Sequence, residues 1–212
     1  MNYTKTIREF CLQNKGDIFD VSYMKDAYFE MVPYKTLLKI LNRLEEEGII
    51  ACIGKGVYLI KKEGSDLDEA IFARYIANEH GMYGGYTLFK NLKIIDRQNK
   101  CVEIYTNRLR TRTKTIGNYQ LTKIDILFTL PIISMIVLLE CIEKGSSIKD
   151  ASFIKLHEIM NAMVMDYSDT GLLVILDAIP YHYSTMVTLK ELLDKKGIQN
   201  DCIGIFERQQ KK

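Results

Sequence analysis

Tryptophan is missing from these 212 residues, and proline occurs only three times. No stretch is low-complexity, and 47% of the residues are hydrophobic against 26% charged, which is the balance of an ordinary globular protein. The five cysteines (Cys11, Cys52, Cys101, Cys141 and Cys202) stand far apart, with no CxxC pair. The three histidines, at 80, 157 and 182, are equally scattered. Neither a zinc pattern nor a disulfide framework is present, so reduced cysteines packed as small apolar groups are expected. GxGxxG and P-loop motifs are missing too, so glycine implies turns or close packing here, not a nucleotide cradle. No apolar core follows the N-terminal MNYTKTIREF, so no signal peptide is expected. The longest uncharged run, ILFTLPIISMIVLL at 126–139, is too short to span a bilayer. It reads as a buried strand leading into a buried helix, and a cytoplasmic protein with no membrane partner is expected.

Charge of one sign is also scarce, since the formal net charge is only +2. Its distribution is uneven: +1 over 1–64, +3 over 65–130 and −2 over 131–212. Any anion site must therefore be a local patch and not a global field.

The first 64 residues carry a recognisable order of elements. Ile7, Phe10 and Cys11 give one apolar helical face between Tyr3 and Asn14. Lys15-Gly16-Asp17 breaks that helix, and a short second one is predicted near Val21 to Phe29. In VPYKTLLKILNRLEEEG, Leu37, Ile40, Leu41 and Leu44 recur at i, i+3, i+4 and i+7, which predicts a helix over 33–47. Pro33 suits its first turn and Gly48 the position just past its end. The opposite side carries Lys35, Lys39, Asn42 and Arg43. Glu45-Glu46-Glu47 in the last turn would repel phosphate, so a groove would have to meet the leading turns. Two β-rich runs, Ile49 to Ile53 and Val57 to Ile60, flank Gly54-Lys55-Gly56 and predict a hairpin. Three helices and a hairpin describe a winged helix-turn-helix over 1–64. Tyr34, Lys35, Thr36, Lys39 and Arg43 are its candidate DNA contacts, with Lys55 on the wing. Tyr34 either touches base or sugar, or packs on the second helix. A protein-docking winged helix is the competing reading.

The polar stretch KKEGSDLDE, 61–69, predicts a boundary, and a mixed sheet-and-helix unit should fill 65–212. The fold class is therefore α+β. Leu67, Ala70, Ile71, Arg74 and Tyr75 predict a helix reaching about Glu79, and Gly84-Gly85 precede a short one. Pro131 opens an apolar helix to Lys144. Asp150 should cap the next, with Phe153, Leu156, Ile159, Met160 and Met163 on its buried face. Further helices start at Asp169 and Thr185, and CIGIF, 202–206, suggests a final strand.

GMYGGYTLFKNL at 81–92 resembles the turn-and-helix element that follows the winged helix in AbiEi-type antitoxins of bacterial abortive-infection toxin–antitoxin systems. KGVYLI at 55–60 resembles the end of their wing, VEIYTN at 102–107 a central strand, and AIPYHYSTMVTLKELLDKKG their closing helix. The order agrees over nearly the whole chain. One departure lies in the closing element, where the family usually has an arginine near a Tyr-Pro pair; here the order is Pro180-Tyr181, followed by His182. The resemblance implies a repressor of its own operon that binds double-stranded DNA at inverted repeats, hence two copies on DNA. It also implies a cognate nucleotidyltransferase-like toxin, counteracted directly or indirectly. No cofactor is implied.

The segment NRLRTRTKTIGNY places a cation on every second residue. On a β-strand Arg108, Arg110, Arg112 and Lys114 would share one face at roughly 6.8 Å spacing, with Leu109, Thr111 and Thr113 inward. Neighbouring like charges at that spacing cost about 0.6 kcal/mol in water, little enough for a merely solvated face. Three arginines nonetheless suit phosphate or carboxylate, on DNA or on a partner protein. A magnesium-dependent nuclease would need clustered carboxylates, for which Asp96 and Glu103 are the candidates, but E-x-K spacing is missing and enzyme chemistry is not expected. A ligand-responsive winged-helix regulator is the remaining alternative.

Overall fold

The computed structural model describes residues 3–64, 66–97 and 100–211, apart from the side chain of Ser146. Among them, ten α-helices and two small sheets form a mixed α+β fold.

Helix α1 (Tyr3–Gln13) buries Ile7 and Cys11, one turn apart. A three-residue strand follows, β1 (Ile18–Asp20), too short to leave any alternation in the sequence. Asp20 then caps α2 (Val21–Ala27), its carboxylate accepting the N–H groups of Ser22 and Tyr23. Helix α3 (Tyr34–Glu46) buries Leu37, Ile40, Leu41 and Leu44, the stripe its periodicity predicts. Pro33, expected inside the first turn, is instead the residue capping it. The predicted hairpin is β2 (Ile50–Gly54) and β3 (Val57–Ile60), and β3 is the central strand of an antiparallel sheet ordered β1-β3-β2.

Helix α4 (Leu67–Tyr75) stops short of the expected Glu79 because Asn78 and Glu79 adopt φ of 56° and 62°, outside helical space. Strand β4 (Gly81–Tyr83), helix α5 (Gly85–Asn91) and strands β5 (Val102–Thr106), β6 (Thr113–Ile116) and β7 (Tyr119–Lys123) follow. They make a sheet ordered β4-β5-β7-β6, in which β5 and β7 run parallel and the other pairs antiparallel.

The remainder is helical: α6 (Leu130–Lys144), α7 (Phe153–Met163), α8 (Asp169–Ala178), α9 (Tyr183–Lys195) and α10 (Cys202–Gln210). Four expectations are corrected here. Residues 126–129 form no strand: Ile126 and Phe128 are buried on either side of exposed Leu127, but the segment joins no ladder. Asp150 has φ of 66° and cannot open a helix, so Ser152 caps α7 through the Lys155 N–H. Phe153 lies outside the buried face, which is carried by Leu156 and Ile159, and is 66% exposed. CIGIF is helical, because Cys202, Ile205 and Phe206 are the buried positions, an i, i+3, i+4 set that β-propensity obscured.

Apolar side chains gather in three clusters. One fills the N-terminal unit around Leu37, Leu41 and Met24. The largest joins α6–α10 to the inner side of the second sheet. The third straddles the 61–69 stretch, packing Ile18, Val57 and Leu59 against Ile71, Tyr75, Ile104, Leu109, Ile116 and Leu121. Both sheets thus share a core. Gly54 lies so close to β6 that a Cβ there would stand 3.0 Å from the Thr115 carbonyl oxygen.

Candidate nucleic-acid interface

Because α3 buries one stripe completely, its other side is left to solvent. Lys35, Lys39, Asn42 and Arg43 are all exposed, Thr36 is partly buried and Tyr34 keeps half of its surface. Lys35 and Lys39 lie one turn apart, about 6 Å along the axis. The first turn contains no acidic residue, and no side chain caps its free N–H groups. Those N–H groups and the positive end of the helix dipole add to the lysines, so the leading half of α3 is the natural anion-facing end.

Two acids of the exposed trailing turn, Glu45 and Glu47, have partners within the molecule. Glu47 pairs with Arg8 of α1 at 2.5 Å. The hydrogen bond from Arg8 holds the Glu47 carboxyl below its ordinary range. Glu45 accepts the Cys52 N–H at 3.0 Å, tying the end of α3 to the hairpin. Lys55 is exposed at the hairpin tip, and Gly56 beside it has φ of 68°, a turn conformation that suits glycine. The Gly56 carbonyl accepts the Val21 N–H at 2.9 Å, fixing the tip relative to α2.

The basic row is arranged differently from the expected strand. Thr106, fully buried, donates its hydroxyl to the His80 carbonyl, and Asn107 donates its side-chain amide to Ile126 and Glu79 carbonyls. These bonds end β5. The chain then steps past β7 to reach the sheet edge at β6, and a segment crossing the end of a strand has no ladder to join. Arg108, Arg110 and Arg112 lie on that crossover, and only Lys114 is on a strand. Leu109 is buried as expected, but Thr111 and Thr113 are exposed.

Two of the four cations point back into the molecule. Arg110 pairs with Asp26 at 2.5 Å, and Lys114 pairs with Asp20, both acids belonging to the N-terminal unit. Arg108 meets the His80 ring, and Arg112 lines an open cleft of 550 Å³ with Lys123, Asp125 and Asp177. The row is therefore not one uniform face. Its partners Asp20, Tyr23, Asp26 and His80 lie 28 to 94 residues away, and no local pattern in the sequence signals them.

Glu103 and Asp96 do not come together as a carboxylate pair. Glu103 accepts the Tyr86 N–H at 2.7 Å and lies against Gly85, while Asp96 is exposed in the loop after α5. Among the described residues no three His, Cys, Asp or Glu side chains are grouped as metal ligands. No single helix among them is long and apolar enough to cross a membrane.

A scan against protein-family models finds no match, and neither does a search of curated proteins. Among solved structures, the crystal structure of the RV2827C protein from Mycobacterium tuberculosis is similar at a TM-score of 0.42 and 12% identity. The match covers 99% of this chain and 80% of that one. A likeness so slight assigns no fold family and no function.

Proposed function

We propose that residues 1–64 act as a winged helix-turn-helix domain and that the chain is a DNA-binding antitoxin. In this reading it represses its own operon at inverted repeats and counteracts a nucleotidyltransferase-like toxin. One observation supports DNA binding above the rest. The cationic flank of α3 is open to solvent along its leading turns, while its acidic end is tied up by Arg8 and the Cys52 N–H. Tyr34, Lys35, Thr36, Lys39 and Arg43 then meet the groove and its phosphates, and Lys55 a flanking phosphate. Residues 65–212 carry the antitoxin function, for which the support is the family resemblance of GMYGGYTLFKNL and the segments after it.

A fluorescence-anisotropy titration with DNA from upstream of the gene, repeated across salt, tests the first half. Lys35→Ala and Lys39→Ala should each weaken binding and reduce the salt slope by about 0.9 per lost phosphate contact. Unchanged affinity and slope in the double variant would remove α3 from the interface. Growth rescue on co-expression with a neighbouring nucleotidyltransferase gene tests the second half.

A further inference from the structure

Where the two units meet, positive charge accumulates beyond what internal pairing requires. Helix α2 contributes Tyr23 and Asp26, α4 contributes Arg74, the turn after it contributes His80, and the crossover contributes Arg108 and Arg110. The Arg74 and Arg110 guanidinium carbons each lie 5.5 Å from the Tyr23 ring centroid, hence at most twice that distance apart. Arg108 touches the His80 imidazole. Burial, then the charges of Arg108 and Arg74, hold His80 below the ordinary imidazole range. Arg74 and Arg110 thus share the Tyr23 ring, and Arg108, two residues before Arg110 on the crossover, meets His80. Asp26 is the carboxylate paired within the group; Asp20 next to it is taken by Lys114, and Asp17 lines the same small pocket as Tyr23 and Arg74.

An internal strap needs one arginine and one aspartate. The surplus repels itself, and the Arg110–Asp26 pair is 49% and 61% exposed at its side chains, so water and salt weaken it and an incoming anion can displace it. Guanidinium forks favour oxygens set for two parallel hydrogen bonds, and an oxyanion balances the surplus. We propose that Arg74, Arg108, Arg110 and His80 form a phosphate-binding site at the junction of the two units. Its source is either the nucleic-acid backbone beyond the α3 footprint or a free phosphorylated small molecule. The site does not depend on α3 entering a groove.

The test uses the full chain and two probes, inorganic pyrophosphate by calorimetry and the upstream duplex by anisotropy across salt. Wild type should bind pyrophosphate, and Arg74→Gln/Arg108→Gln/Arg110→Gln should weaken it at least tenfold. Asp26→Asn removes the competing carboxylate and should tighten pyrophosphate several-fold, whereas a pure strap would leave it unaltered. Arg108→Gln leaves the Asp26 pair intact, so its several-fold loss should occur with an unchanged unfolding midpoint. A DNA salt slope lowered by about one to two in the triple variant identifies the backbone as the source. An unchanged slope with lost pyrophosphate binding identifies a small ligand. If wild type binds pyrophosphate and no DNA, the repressor reading fails and this one stands. Absence of pyrophosphate binding with an unaltered slope overturns the proposal. Toxin neutralisation lost in that same case would instead assign the arginines to a protein's carboxylates.

Discussion

Glu140 is a charged side chain held at 1% exposure in the middle of the α6 packing, and its surroundings explain how it is tolerated. Lys144, one turn on, donates to it at 2.6 Å, and the Tyr181 hydroxyl donates at 3.3 Å. Removing one partner of such a pair leaves an uncompensated charge, so Lys144→Met should destabilise by about 3 kcal/mol. Glu140→Met/Lys144→Met should recover most of that loss, and urea unfolding of the single and double variants checks the cycle. Glu143 plays a different part. It accepts hydrogen bonds from the Thr185 hydroxyl and the His182 N–H and pairs with the His182 ring, at the start of α9. Burial pushes its carboxyl up, but the bonds from Thr185 and His182 outweigh burial and hold it below the ordinary range. A carboxyl lowered on folding contributes stability above its unfolded value that is lost as pH falls through the folded one. Glu143→Gln should therefore flatten the acid limb of stability below about pH 4.3, measured by thermal unfolding across pH. His182 thus holds a helix start through Glu143.

At the scale of elements, the start of β4 is the tightest joint. A Cβ on Gly81 would lie 2.2 Å from the Tyr75 carbonyl oxygen and 2.3 Å from that of Tyr105. Both obstacles are backbone, so neither can rotate away. Gly81→Ala should cost about 3 kcal/mol through overpacking, read as a lower urea midpoint. Gly56→Ala, at the open hairpin tip, meets nothing within 4 Å and should cost only the strain of its positive φ, about 1 kcal/mol. Helix α3 was legible because burial of one stripe writes itself into the sequence at 3.6-residue spacing, whereas α6, buried on every side over 135–141, was legible as an apolar run opened by Pro131. The strands β1 and β4, three residues each, are too short to write a period. In the crossover the period was present and misled. Threonines alternating with arginines imitate a strand, but only Leu109 of the inward set is buried, and a strand needs the ladder that the crossover lacks.

For the molecule as a whole, the shared core between the two sheets matters most. Ile18, Val57 and Leu59 belong to the N-terminal unit but bury themselves against Ile71, Ile104 and Ile116. The pairs Arg110–Asp26 and Lys114–Asp20 lie across the same junction. A single cooperative unfolding transition is expected, with far-UV dichroism and tyrosine fluorescence coincident in urea. Two resolved transitions would mean that the junction contributes little. A fragment ending at residue 64 should have a markedly lower midpoint than the same region in the full chain, since three apolar side chains of its sheet lose their cover.

By itself the sequence determined the order of the major helices, the α3 stripe with its cationic reverse, the hairpin after Gly48 and the α+β class. Those follow from spacing along the chain, where each residue's neighbours are its own near positions. Only the tertiary structure decided what the basic row meets, where Glu45 and Glu47 are held, and which face of the first sheet is covered. Those outcomes depend on contacts between residues tens of positions apart, and closing such loops leaves no periodic trace in either partner's local sequence.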